Sequence, residues 1–169
     1  NLAIGGAVTD CYVLGDPGAG LPVTLEHDAK AAALGELHVG AGKQRGARDL
    51  AYVIVGTGVG AAIIIDGQLF RGRHDSAGEI GHVTIDRHAL PGSSGVIGCV
   101  ESFTSGPYLV KQFERRGGVA PEGVRLNGEH IVRLGAQGDA LANAVLDDAG
   151  DALAAGIGII AMLMDIDLF

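Results

Sequence analysis

The chain has 169 residues with 12 basic against 20 acidic side chains, and its formal net charge of −8 repels nucleic-acid phosphates and excludes direct DNA or RNA binding by this segment. That length suits about one domain; with 47% hydrophobic residues, only 4% aromatics and no Trp, its core must come from Ala, Val, Ile and Leu packed closely through 29 glycines, as in alternating β and α elements. The longest strongly apolar run, residues 152–164, falls short of the ~20 residues a bilayer requires, no secretory signal is visible, and Cys11 and Cys99 read as free thiols of a reducing cytoplasm.

The first twenty residues are small and glycine-rich, with a strand-like Leu2-Ala3-Ile4 and turn residues Gly15-Asp16-Pro17-Gly18, and no element is assigned to them. Residues 21–26 read as a short buried strand and 29–42 as a helix whose Ala and Leu positions line one face. Asp28, at the junction, is placed to cap that helix. Residues 50–55 form an apolar strand running into Gly56-Thr57-Gly58-Val59-Gly60, and 60–65 a second. Asp66-Gly67 is a hairpin signal, with 68–71 returning, so this stretch reads as a β-meander around glycine turns. A short strand is expected at 82–86, an irregular loop at 87–98, a helix at 101–116, a linker at 119–127 and a helix beginning at 128–134. Residues 139–164 predict a long helix with Asp139 as cap, and 165–169 the start of a strand.

Several of these residues carry chemistry. A glycine turn between strands lets backbone N–H groups approach an anion, and Thr57 adds a hydroxyl donor, which suits a terminal phosphate of a nucleotide. A tight hairpin explains the same five residues equally well. It is neither a Walker loop, since no Gly-Lys-Ser/Thr follows, nor a dinucleotide fingerprint, since a strand comes next. Asp28 reads as a helix cap or as a general base for a hydroxyl that attacks a phosphoryl group. Glu79, His82 and Glu101, polar groups among Gly, Ile and Val, suit the hydroxyls of one polyol.

The stretch Val23-Thr24-Leu25-Glu26-His27-Asp28-Ala29-Lys30-Ala31-Ala32, with Val55-Gly56-Thr57-Gly58-Val59-Gly60 and Gly78-Glu79-Ile80-Gly81-His82, resembles the ROK family of bacterial sugar kinases and sugar-responsive transcriptional repressors, over residues 21–116. The resemblance implies an α/β architecture, the actin-like, hexokinase-like ATPase fold (ribonuclease H-like), with only part of the two-domain unit present. Residues 1–20 would be a piece of the small domain, and 21–169 the sugar-binding and partial nucleotide-binding region. It further implies Asp28 as catalytic base, Gly56, Thr57, Gly58 and Gly60 as holders of ATP phosphates with Mg²⁺, and His27, Asp28, Glu79, His82 and Glu101 as sugar ligands. A hexose or amino sugar is the expected partner, in a cytoplasmic homo-oligomer without membrane contact.

This chain departs from the family pattern in three places. His27 stands where the family usually has Asn, and imidazole still bonds a hydroxyl, although a partly buried histidine without ligand contact is the plain alternative. The family commonly builds a zinc site from the His of Gly-His and three cysteines; here Gly92 and Ser94 replace two of them, leaving His82 and Cys99, so zinc is expected to be lost and the 87–98 loop to be looser. The family's N-terminal phosphate loop and C-terminal adenosine-binding strand are missing from the sequence, which is expected to be a fragment. The readings left open are an ATP-dependent hexose or N-acetylhexosamine kinase, the sugar-sensing effector domain of a regulator, and a sugar-binding domain without catalysis.

Overall fold

The structure, a computed structural model, describes residues 11–14 and 24–169. Leu2-Ala3-Ile4, the 15–18 turn and residues 21–23 of the expected first strand lie outside the described residues. The chain divides into two units, one of residues 1–53, 61–78 and 166–169, the other of 54–60 and 79–165.

In the first unit β1 (Cys11–Leu14) pairs antiparallel with β2 (Thr24–His27), Cys11 facing His27 and Leu14 facing Thr24. Sequence reading assigned no element at β1. From β2 the chain enters α1 (Asp28–His38) directly. The capping position belongs to His27, extended at φ −62° and ψ 140° and making no side-chain cap bond, so Asp28 is the first helical residue and not the cap. A carboxylate in a first helical turn is still favoured by the helix dipole. Ala29, Ala33 and Leu37 recur every four residues on the buried face, as the pattern predicts. The helix stops at His38, short of the expected 42, where Val39 leaves helical geometry at φ −135° and the Gly40 amide reaches back to the Gly35 carbonyl at 3.1 Å. A separate short α2 (Ala41–Gln44) follows, its first amide bonded to Glu36 Oε2 at 2.8 Å.

β3 (Leu50–Val55), β4 (Val59–Ile65) and β5 (Gln68–Leu69) form a three-stranded sheet in that order. Asp66 and Gly67 both take positive φ, 53° and 77°, the hallmark of the tight hairpin read from the sequence. The returning strand is shorter than expected, although Phe70 N still reaches Ile63 O at 2.8 Å. Near the end of the chain Ile166 is buried and Leu168 O accepts from Ala51 N at 2.9 Å, a single backbone bond where a strand was expected.

An ionic chain fastens residues 71–75 to the β2–α1 junction. Arg71 bridges the buried Glu26 and Asp75, and Lys30, only 3% exposed, holds Asp75 Oδ1 at 2.7 Å.

The second unit replaces the expected 82–86 strand with a single 3-10 turn, Ile80–His82, closed by His82 N to Glu79 O at 3.1 Å. Gly81 explains the tight turn: a Cβ there would stand 2.2 Å from Val59 O, so the backbones touch. Only Thr84 pairs, bridging to Cys99. The loop that follows is cross-braced: Pro91 bridges to Ile97, and the Gly98 carbonyl accepts from Ile85 N and Asp86 N.

The expected 101–116 helix is two helices, α3 (Glu101–Thr104) and α4 (Gly106–Arg115), broken at the extended Ser105. Pro107 has no N–H to continue the helix, and Gly106 N bonds outward to Gly56 O at 2.9 Å. α5 (Gly128–Ala136) begins at Asn127, whose side chain accepts from His130 N, and α6 (Ala140–Met164) at Asp139, whose Oδ1 accepts from Ala142 N at 2.8 Å. Leu109, Phe113, Ile131, Ala142 and Val145 lock α4, α5 and α6 together, the larger side chains each contributing about 1.5–3 kcal/mol. Among the described residues no helix is long and apolar enough to cross a membrane.

Candidate functional site

The glycine turn joins β3 to β4 and is exposed from Gly56 to Gly58. Its geometry is fixed by Gly56 N to Gly58 O at 2.9 Å and by the Gly106 amide on Gly56 O. Gly56 is informative in itself: its φ is not left-handed, and a Cβ there would meet no atom within 4 Å. Neither a left-handed φ nor packing requires glycine at this position, and the absent side chain leaves the main chain open to approach. A Cβ on Gly58, by contrast, would come within 3.1 Å of Glu101 Oε2.

Glu101 opens α3 and is 5% exposed. Its Oε1 accepts the Ser93 amide at 3.0 Å. Burial alone would push its carboxyl up, but hydrogen bonds, chiefly from Ser93 and also from the Val59 amide, outweigh that and hold it below its ordinary 4.5. Glu101 is therefore an ionised acceptor set against the glycine turn. Glu79 and His82 lie at either end of the 3-10 turn, half-exposed, with Glu79 Oε2 3.9 Å from His82 Nε2. Ser94 Oγ stands 3.2 Å from His82 Nδ1. Ser93, Ser94 and Val59 are contacts that sequence reading missed; the serine-rich loop gave no signal of where it folds back.

A cavity of about 1030 Å³ opens beside the turn, lined by Gly56, Thr57, Gly106, Pro107 and Asn127, with Leu109, Val110 and Val132 making it partly apolar. The breaks that start α4 and α5 thus form one of its rims.

His27 and Asp28 belong to the first unit. Asp28 Oδ1 accepts the Ala29 amide at 2.6 Å, which fixes the carboxylate at the helix start. His27 Nδ1 lies 3.3 Å from that same oxygen, close enough to pair when protonated but without the alignment of a hydrogen bond.

The four positions that the family resemblance assigns to zinc lie in two close pairs. Gly92 lies against Cys99, a Cβ on it falling 2.4 Å from Sγ, and Ser94 lies against His82. The side chains present are an imidazole, one thiol and a hydroxyl, and among the described residues no three His, Cys, Asp or Glu groups gather as ligands. That set does not fit a tetrahedral zinc site. For a nucleotide the residues fit better: the open Gly56, the Thr57 hydroxyl and the cavity supply main-chain approach, a donor and room.

The ROK family model matches residues 17–169. The chain belongs to the ROK family. It is 34% identical over 162 residues to a glucokinase of Streptomyces coelicolor, covering 89% of this chain and 50% of that protein. It is 50% identical over 86 residues to a xylose repressor of Caldicellulosiruptor bescii, covering 50% of this chain and 21% of the repressor. Among solved structures, the ROK family glucokinase from Streptomyces griseus in complex with glucose and AMPPNP superposes with a TM-score of 0.73 at 35% identity, covering 87% of this chain and 50% of that one. The fold is therefore the hexokinase-like, actin-like ATPase fold, of which this ROK chain carries part. It spans about half the length of the curated relatives it matches.

Proposed function

We propose that the full-length protein is a cytoplasmic sugar kinase that transfers the γ-phosphate of ATP to a hydroxyl of a hexose or N-acetylhexosamine. The observation that carries this reading is Gly56, a glycine kept where neither packing nor conformation requires one, in a turn built against an ionised carboxylate.

Glu79, His82 and Glu101 orient the sugar through its hydroxyls, with His27 as a further contact. Asp28 takes the proton of the attacking hydroxyl; its Oδ1 is held by the Ala29 amide, which leaves Oδ2 to accept. Gly56, Thr57, Gly58 and Gly60 hold the phosphates, and Mg·ATP supplies the phosphoryl group and part of the charge neutralisation. Zinc takes no part.

A second reading, an effector domain of a sugar-responsive regulator without catalysis, is supported by the 50% identity to the xylose repressor and by His27 in place of Asn. Coupled ADP release by the full-length protein against a panel of hexoses and N-acetylhexosamines tests both. Asp28→Asn should lower turnover by roughly 10²–10⁴-fold while leaving sugar affinity nearly unchanged. Equal loss of turnover and affinity would remove Asp28 as base, and sugar binding without any turnover in the wild type would favour the regulator.

A further inference from the structure

His82 is held from two sides within one unit, by Ser94 Oγ 3.2 Å from Nδ1 and by Glu79 Oε2 3.9 Å from Nε2. Ser94 stands at the tip of a loop tied by Gly92 N to Val96 O at 2.8 Å, Gly98 N to Leu90 O at 2.8 Å and Thr84 Oγ1 to Ile97 O at 3.0 Å. The same loop delivers the Ser93 amide to Glu101.

We propose that this loop is a metal-independent bracket in which the Ser94 hydroxyl is the positioning group that fixes the orientation and tautomer of His82. The hydroxyl donates to Nδ1, so the imidazole proton resides on Nε2, where the Glu79 carboxylate favours it. Nε2–H is then a directed donor for a ligand oxygen. The disagreement with the family's zinc site has a physical basis. Gly92 brings no side chain to Cys99 Sγ, and a neutral hydroxyl at position 94 is a poor zinc ligand but a good partner for an imidazole nitrogen. What coordination would have done for the ring, hydrogen bonding does here. The consequence for sugar recognition rests on the proposed sugar-site reading; the ring geometry does not.

The test uses full-length protein labelled with ¹⁵N-histidine, with His82 assigned by its loss in His82→Gln. Nitrogen shifts should show unprotonated Nδ1 and protonated Nε2, unaltered by a zinc-selective chelator at constant Mg²⁺, in protein holding far less than one zinc per chain. Ser94→Ala should mix the tautomers and raise the sugar dissociation constant roughly 3- to 10-fold while kcat changes by less than about twofold. Ser94→Thr, which keeps the hydroxyl, should restore both. Unchanged His82 signals in Ser94→Ala would overturn the proposal, as would stoichiometric zinc whose removal collapses those signals. Should the wild type bind no sugar while Ser94→Ala still moves the His82 nitrogens, the bracket stands and the sugar-site reading falls.

Discussion

Gly98→Ala is expected to unfold the loop that carries Ser93 and Ser94. Gly98 sits at φ +58°, and a Cβ there would lie 1.4 Å from the Asp86 carbonyl oxygen. That oxygen belongs to backbone, so it cannot swing aside as a flexible side chain would. The Gly98 carbonyl also accepts from Ile85 N at 2.8 Å and Asp86 N at 3.1 Å, bonds that any shift loosens. Left-handed strain costs about 1–2 kcal/mol and the overlap about 1–3 kcal/mol, for a total of roughly 2–5 kcal/mol. Gly95 is the control: its φ is +84°, but a Cβ would meet nothing within 4 Å, so Gly95→Ala should cost the strain alone, about 1–2 kcal/mol. Urea unfolding of the full-length protein, followed by circular dichroism, compares midpoints at a common slope. Equal losses in the two variants, or a loss below about 1 kcal/mol for Gly98→Ala, would refute the packing argument.

Glu101→Gln should weaken sugar binding by roughly tenfold or more, as expected for a lost charged acceptor, and ATP binding by much less; calorimetry giving the reverse order would move Glu101 out of the sugar site. The Arg71 hydrogen bond, against the opposing effect of burial, holds the Glu26 carboxyl below its ordinary 4.5. A depressed carboxyl favours the folded state once ionised, so its contribution is complete above about pH 4.5 and disappears as pH falls through the lower folded value. The stability gap between wild type and Glu26→Gln should thus be flat near neutrality and close in acid, and a gap that widens in acid would contradict the sign. Asp139→Ala should cost about 1 kcal/mol in the same urea assay, and no change would mean that the Ala142 amide finds another acceptor.

What the sequence disclosed was what local chemistry decides. The Leu50–Val55 strand, the Asp66-Gly67 turn and the Asp139-capped α6 each carry their signal within a few residues. The misread segments are governed by distant partners. Residues 82–86 alternate like a strand, yet Gly81 against Val59 coils the chain before them. The 101–116 segment was read as one helix; Pro107 and the Gly106 amide reaching Gly56 break it. For the candidate site, residue types and order singled out the glycine turn and Glu101, which lie side by side, because motif chemistry is written in sequence. The Ser93 and Ser94 contacts and the Lys30–Asp75–Arg71–Glu26 chain were not legible, since they depend on how loops fold back over separations as large as 45 residues.

Among the described residues lining the cavity beside the glycine turn, Arg125 is the one cation, against two carboxylates, Glu114 and Glu129. This segment has a net charge of −8, so a nucleoside triphosphate taken up there under the proposed kinase reading would meet a field of its own sign. Association would then be slowest at low ionic strength and hastened by added salt or by Mg²⁺ on the phosphates, the opposite of an electrostatically steered encounter. Capture would fall to short-range contacts at the main chain, with diffusion giving no help from afar.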